Sequence, residues 1–137
     1  MCARLICNES KHCHITPLSV DLHWLPVKFR IEFKILLIAF KIFRGLATSY
    51  LSFLITSKPV SKYNLRSSSD GTLLCFPNIK VKATLSERAF VFAAPKLWNA
   101  LLRFIRETNS IDSFKRKLKT YLFEKAFHTT EIIRSYF

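Results

Sequence analysis

The apolar positions of this chain follow helical spacing over most of its length, and residues 26–44 are the longest such stretch. Apolar and charged residues alternate at its start, a spacing that also fits a strand. The stretch continues for nineteen residues without a glycine, which exceeds an ordinary strand, and Gly45 suits the end of a helix. We therefore predict a helix that is apolar around most of its circumference. Four of its basic residues fall on one narrow stripe: Arg30, Lys34, Lys41 and Arg44.

A second periodic stretch covers residues 111–127, after a capping Asn109-Ser110 pair. Its spacing predicts a helix with one apolar face and a different face that mixes basic and aromatic side chains. The apolar face comprises Ile111, Phe114, Leu118, Tyr121 and Leu122. The mixed face comprises Arg116, Lys119, Phe123 and Phe127. Asp112 stands four residues before Arg116, a spacing that predicts an ion pair between them.

The remaining pattern predicts shorter elements between these two helices. Helices are expected over residues 16–23, 48–55 and 96–105, strands over 72–76, 79–83 and 88–92, and a serine-rich loop at about 57–71. The predicted fold class is α+β, mainly α-helical, with a small antiparallel β hairpin or meander between two helical halves. Residues 1–15 form an N-terminal arm or truncated helix, 16–127 the domain and 128–137 a tail. The predicted core residues are Trp24, Phe33, Phe40, Trp98, Leu118 and Tyr121.

Composition and charge limit the classes of partner that this domain can have. The chain has 137 residues, enough for one domain, and half of them are apolar. The net charge of +13 favours a phosphate polyanion or an anionic membrane surface as partner. No uncharged apolar run is longer than residues 35–40, which fall far short of the roughly 20 residues of a spanning helix. The N-terminus also lacks the pattern of a signal peptide, so we expect no membrane partner and an intracellular location, in the cytoplasm or nucleus.

Three of the four cysteines, Cys2, Cys7 and Cys13, crowd the first thirteen residues beside His12 and His14. Cysteine and histidine are the usual ligands of structural zinc, but this spacing matches no standard finger or knuckle. We interpret these cysteines as reduced thiols and expect neither a metal nor a cofactor.

Five segments in order resemble a known family. The first contains Leu22-His23-Trp24-Leu25-Pro26, and the second is the helix-to-turn segment ending at Gly45-Leu46-Ala47. The five segments cover residues 14–26, 40–51, 63–68, 88–101 and 113–123. Each segment alone is weakly specific, whereas the ordered set is strongly so. The chain resembles the carboxy-terminal region of reverse transcriptases from LINE-type, non-LTR retrotransposons, of the jockey-like and chicken-repeat-like kinds.

The resemblance implies a parent RNA-directed DNA polymerase that copies element RNA at a nicked target. In that family this region follows the polymerase fingers and palm, and an amino-terminal endonuclease makes the nick. The palm carries adjacent aspartates, because two-metal phosphoryl transfer requires clustered carboxylates. Here Asp21, Asp70 and Asp112 are far apart in sequence. We therefore expect this chain alone to be a non-catalytic fragment, with His23 and Trp24 as packing landmarks.

The expected role of such a fragment is sequence-nonspecific binding of RNA or DNA beside the polymerase. Lysine and arginine neutralise phosphates, and aromatic side chains stack on unpaired bases. The candidate nucleic-acid-binding residues are Arg66, Lys80, Lys82, Arg88, Arg116 and Lys119. The simpler interpretation of each basic residue is that it is a solvated surface charge. The simpler interpretation of Phe123 and Phe127 is that their rings pack within this chain or against the missing polymerase.

Two other interpretations remain open. Met1 stands where the family continues upstream, as in a transposon copy truncated at its 5′ end that survives as a relic without selected function. Alternatively, the chain is a protein-interaction fragment whose apolar faces pack on the missing palm and fingers. Exposed apolar faces also predict self-association.

Overall fold

The computed structural model of the protein describes residues 2–58, 72–78 and 89–134, with side chains between residues 3 and 127 of those ranges. Within these ranges the fold is mainly α-helical, which confirms that part of the predicted class. The helices are α1 (Cys2–Ile6), α2 (Ile15–Asp21), α3 (Val27–Phe43), α4 (Ser49–Ser52), α5 (Phe90–Asn99), α6 (Arg103–Arg106) and α7 (Ile111–Arg134). None of the described helices is both long enough and apolar enough to cross a bilayer.

Helix α3 occupies the centre of the fold and ends as its sequence predicts. Gly45, at φ 68°, directs its amide to Ile42 O at 3.0 Å, and Leu46 N donates to Lys41 O at 2.8 Å. These two bonds form a Schellman motif, in which a residue in the left-handed region closes the helix. The apolar character of α3 lets it pack on α5 along one side and on α7 along another.

Three aromatic side chains form the centre of the core, one from each of these helices. The ring of Phe40 stacks on Phe114, with centroids 4.1 Å apart, and Trp98 lies 6.0 Å from Phe114. All three are completely buried, as is Leu118. Of the other predicted core residues, Phe33 and Tyr121 are partly buried and pack against this cluster, whereas Trp24 is partly buried and lies outside it.

The predicted hairpin or meander is not shown, because the described residues contain no strand. Within residues 72–76, Leu74 forms an isolated antiparallel bridge with Ser57. The backbone of Leu74 bonds instead to a side chain of α5: its amide donates to Asn99 Oδ1 at 3.0 Å, and its carbonyl accepts from Asn99 Nδ2 at 2.9 Å. The indole of Trp98 likewise donates to Thr72 O at 2.6 Å. Side chains therefore take the hydrogen bonds on one edge of this segment. On the other edge, Lys58 N donates to Leu73 O and Cys75 N donates to Thr56 O.

The expected strand over residues 88–92 is wrong from Phe90 onward, where α5 begins. Phe90, Ala94 and Trp98 recur at helical spacing and face the core, so the 3.6-residue period outweighed the β propensity of the Phe-Val-Phe run. The helix expected over residues 96–105 is correspondingly divided into α5 and α6. The expected strand at residues 79–83 lies outside the described residues.

Candidate nucleic-acid interface

An open pocket of about 360 Å³ lies where the α2–α3 turn meets the first half of α3 and the middle of α7. Its lining is formed by His23, Trp24, Leu25, Arg30, Phe33, Lys34 and Lys119. The pocket therefore joins the family-like segment to basic residues of both long helices. Its volume lies within the range of small-ligand sites, roughly 300–1,000 Å³.

The turn that forms one wall of the pocket is a second Schellman motif. Trp24 N donates to Ser19 O at 2.8 Å, and His23 N donates to Val20 O at 3.0 Å. His23 has a φ of 51° and so occupies the left-handed position where glycine is usual. Its ring stacks on Phe123 of α7, with centroids 5.5 Å apart and planes 13° from parallel. This contact fastens the turn to α7 and helps to offset the strain of the positive φ.

Arg30, on α3, contacts the same wall of the pocket through Leu25 and Trp24. Its Nε donates to Leu25 O at 2.6 Å, and its guanidinium carbon lies 5.7 Å from the centre of the Trp24 ring. A cation at this distance from an indole ring is attracted by the electrons of the ring. Arg30 therefore orders Trp24 as well as adding positive charge to the pocket.

Lys34 and Lys119, which are both exposed, add two further positive charges to the pocket. They come from α3 and α7, eighty-five positions apart, and the pocket has no acidic residue in its lining. Neither lysine belongs to an ion pair of the described residues. Basic residues from two separate helices thus meet on one concave surface, which can attract an anion.

The structure separates the other basic candidates from this pocket. Arg116 is also exposed on α7, but it lines a different pocket of about 460 Å³ against α6, together with Phe104, Lys117 and Glu124. The predicted partner of Arg116 is engaged elsewhere, since Asp112 pairs with Lys115 at 3.2 Å. Four further candidates lie outside the described residues: Arg66, Lys80, Lys82 and Arg88.

The sequence predicted His23 and Trp24 as packing residues, and the structure places both in the lining of this pocket. The available signal was the interleaving of Trp24 and Phe33 with Arg30 and Lys34 at the start of α3. Among the described residues, no three potential metal ligands cluster, and this includes the segment with Cys7 and Cys13.

The pocket has the chemistry of an anion-binding surface with aromatic walls, and that chemistry comes from the residues of this chain alone. Comparisons with protein-family models, with curated proteins and with solved structures give no match to this chain.

Proposed function

We propose that this chain is a non-catalytic nucleic-acid-binding domain, derived from the carboxy-terminal region of a retrotransposon reverse transcriptase. It holds RNA or DNA by contacts to phosphates. The observation that carries the proposal is the convergence of Lys34 and Lys119 on a pocket without an acidic residue. The net charge of +13 supports it, because an excess of this size raises the local concentration of polyanions.

The ordered family-like segments support the assignment of the parent protein. The pocket includes residues of the first segment, through Trp24, and of the last segment, through Lys119. These two segments stand at opposite ends of the chain and meet at one surface. A shared binding surface is a physical reason for both segments to be present in the same protein.

The non-catalytic part of the proposal rests on the acidic residues. Asp21 ends α2, and Asp112 lies in the first turn of α7, where it pairs with Lys115 at 3.2 Å. Among the described residues, no three potential metal ligands lie together as a site for the metal ions of phosphoryl transfer.

The test is a titration of fluorescently labelled single-stranded RNA and DNA with the purified chain, followed by anisotropy at several salt concentrations. We expect binding with little sequence preference. The logarithm of the association constant should fall linearly with the logarithm of the salt concentration. Failure to bind at about 50 mM salt, or binding that salt does not weaken, contradicts the proposal.

A second assay addresses catalysis. The chain is incubated with primer-template, deoxynucleotides and magnesium, and the products are separated on a gel. We expect the primer to remain unextended, and an extension product would overturn the non-catalytic assignment.

A protein-interaction role is the second candidate, and exposed apolar side chains favour it. Phe53 is 86% exposed, Tyr50 71%, Val27 69% and Ile31 56%. Large apolar side chains on the surface of α3 and around α4 are suited to pack on another protein, such as the palm and fingers of the parent polymerase. Light scattering coupled to size exclusion tests this role: an isolated chain with uncovered apolar surfaces is expected to self-associate, and a monodisperse monomer at high concentration contradicts that expectation.

A further inference from the structure

The pocket has aromatic side chains in its lining, which phosphate binding does not require. A convex basic surface suffices to neutralise the phosphates of a duplex, whose bases are stacked inside the helix. Here Trp24 and Phe33 line a concave surface together with the cations. Aromatic side chains beside cations are the combination by which proteins bind unpaired bases and their backbone.

The Trp24 side chain is ordered before any ligand arrives. Its backbone is held by the bond to Ser19 O at 2.8 Å, and its ring lies 5.7 Å from the Arg30 guanidinium. Arg30 is itself fixed by its 2.6 Å bond to Leu25 O. A fixed ring loses little conformational freedom when a base stacks on it, which favours binding.

The pocket between α6 and α7 also has aromatic side chains beside cations, but its lining includes an acidic residue. It contains the carboxylate of Glu124, which repels a phosphate. Its Lys117 donates to Thr108 Oγ1 at 3.3 Å, so this cation already has a hydrogen-bond partner. The first pocket, whose lining has no acidic residue, is therefore the one suited to bind a base with its phosphates.

We propose that this pocket binds one unpaired nucleotide of a single-stranded nucleic acid. The base packs against Trp24 and Phe33, and the adjoining phosphates lie on Lys34 and Lys119. This inference rests on the proposed nucleic-acid-binding function and specifies its substrate as a single strand.

The chain contains its own reporter for this site. Its other tryptophan, Trp98, is completely buried, and its indole nitrogen donates to Thr72 O. A base that stacks at the pocket therefore changes the fluorescence of Trp24 and leaves that of Trp98 unaffected. The probes are an oligothymidylate of about 12 nucleotides, a length within the site sizes of single-strand-binding domains, and an abasic oligonucleotide with the same number of phosphates.

We expect oligothymidylate to quench the tryptophan fluorescence saturably and to bind about tenfold more tightly than the abasic strand, the loss expected for one base–aromatic stack. Oligouridylate should behave like oligothymidylate, because stacking does not require the 2′-hydroxyl. Equal affinity of the natural and abasic strands, with no quenching, overturns the nucleotide pocket while leaving the proposed function intact. Absence of salt-dependent binding by every strand overturns both proposals.

Variants locate the effect at the pocket. Trp24→Ala should weaken oligothymidylate binding about tenfold and leave abasic binding unchanged, whereas Trp24→Phe should retain most of the affinity. Phe104→Ala is the matched control, because Phe104 is 58% exposed and lines the other pocket. An equal loss in Phe104→Ala and Trp24→Ala overturns the assignment. The comparison of natural and abasic strands uses the unaltered chain, so it stands even if Trp24→Ala fails to fold.

Discussion

Arg44, at the end of α3, donates a hydrogen bond of 2.6 Å from Nη2 to the carbonyl oxygen of Thr108, sixty-four positions later in the chain. The same Nη2 lies 3.0 Å from Oδ1 of Asn109, and the guanidinium carbon lies 5.6 Å from the Phe40 ring. Arg44 therefore ties the end of α3 to the link between α6 and α7. The sequence pattern places it on a basic stripe with Lys34, but its contacts are those of a structural residue.

Replacement of Arg44 by alanine is expected to lower the free energy of unfolding by about 1.5–3 kcal/mol, the range for a hydrogen bond to a charged group. Urea denaturation followed by circular dichroism measures this change. Lys115→Ala is the control, because its pair with Asp112 is exposed and is expected to contribute less than about 1 kcal/mol. Equal effects of the two substitutions would contradict the structural role of Arg44.

Gly45→Ala is expected to cost about 1–2 kcal/mol of stability, because φ is 68° at this position. A Cβ at Gly45 meets nothing within 4 Å, so the cost comes from the backbone conformation alone. Gly45→Asn should cost less, since asparagine enters the left-handed region more readily. Thermal unfolding of both variants measures their relative stability. An alanine variant as stable as the parent chain would disprove the predicted cost of the positive φ.

Asn99→Ala removes both hydrogen bonds between α5 and the backbone of Leu74. Leu74 is buried, so its amide and carbonyl lose their partners away from water, and a loss of about 1–3 kcal/mol is expected. Amide hydrogen exchange of Leu74 should accelerate in the variant. Unchanged protection would show that another group satisfies this amide.

Phe114→Ala should cost about 3–5 kcal/mol, because the ring is completely buried between Phe40 and Trp98. A loss of this size is a large fraction of the stability of a small domain. Phe53→Ala removes the same side chain from a position that is 86% exposed and should change stability by less than about 0.5 kcal/mol. Denaturation midpoints of the two variants should therefore differ clearly, and similar midpoints would place the core elsewhere.

The double substitution Lys34→Gln and Lys119→Gln should weaken binding to single-stranded nucleic acid at low salt. The slope of log affinity against log salt should fall by about 1.4, the expectation for two lost phosphate contacts to a single strand. Lys96→Gln is the control, since Lys96 is exposed on α5 and does not line the pocket. A slope that falls no more in the double variant than in Lys96→Gln argues against the pocket as the phosphate-binding surface.

The two long helices could be predicted because their local signals agree over many residues. Apolar periodicity, capping residues and the glycine after α3 all favour the same elements, and the structure has helices at Val27–Phe43 and Ile111–Arg134. The middle of the chain was predicted less well. Its short apolar runs fit a strand or a helix equally. The packing of Phe90 against the buried core and the bonds of Leu74 to Asn99 decided the outcome.

The sequence alone determined the helical character of α3 and α7, the large positive charge and the scattering of the aspartates, because these properties depend on residue identity and local spacing. Only the tertiary structure decided which basic residues bond to the backbone and which line the pocket without such a bond. Arg30 and Arg44 donate to backbone carbonyls, whereas Lys34 and Lys119 converge on an open pocket. The physical reason is that the surroundings of a side chain come from residues distant in the chain, and these meet only when α3 packs against α7.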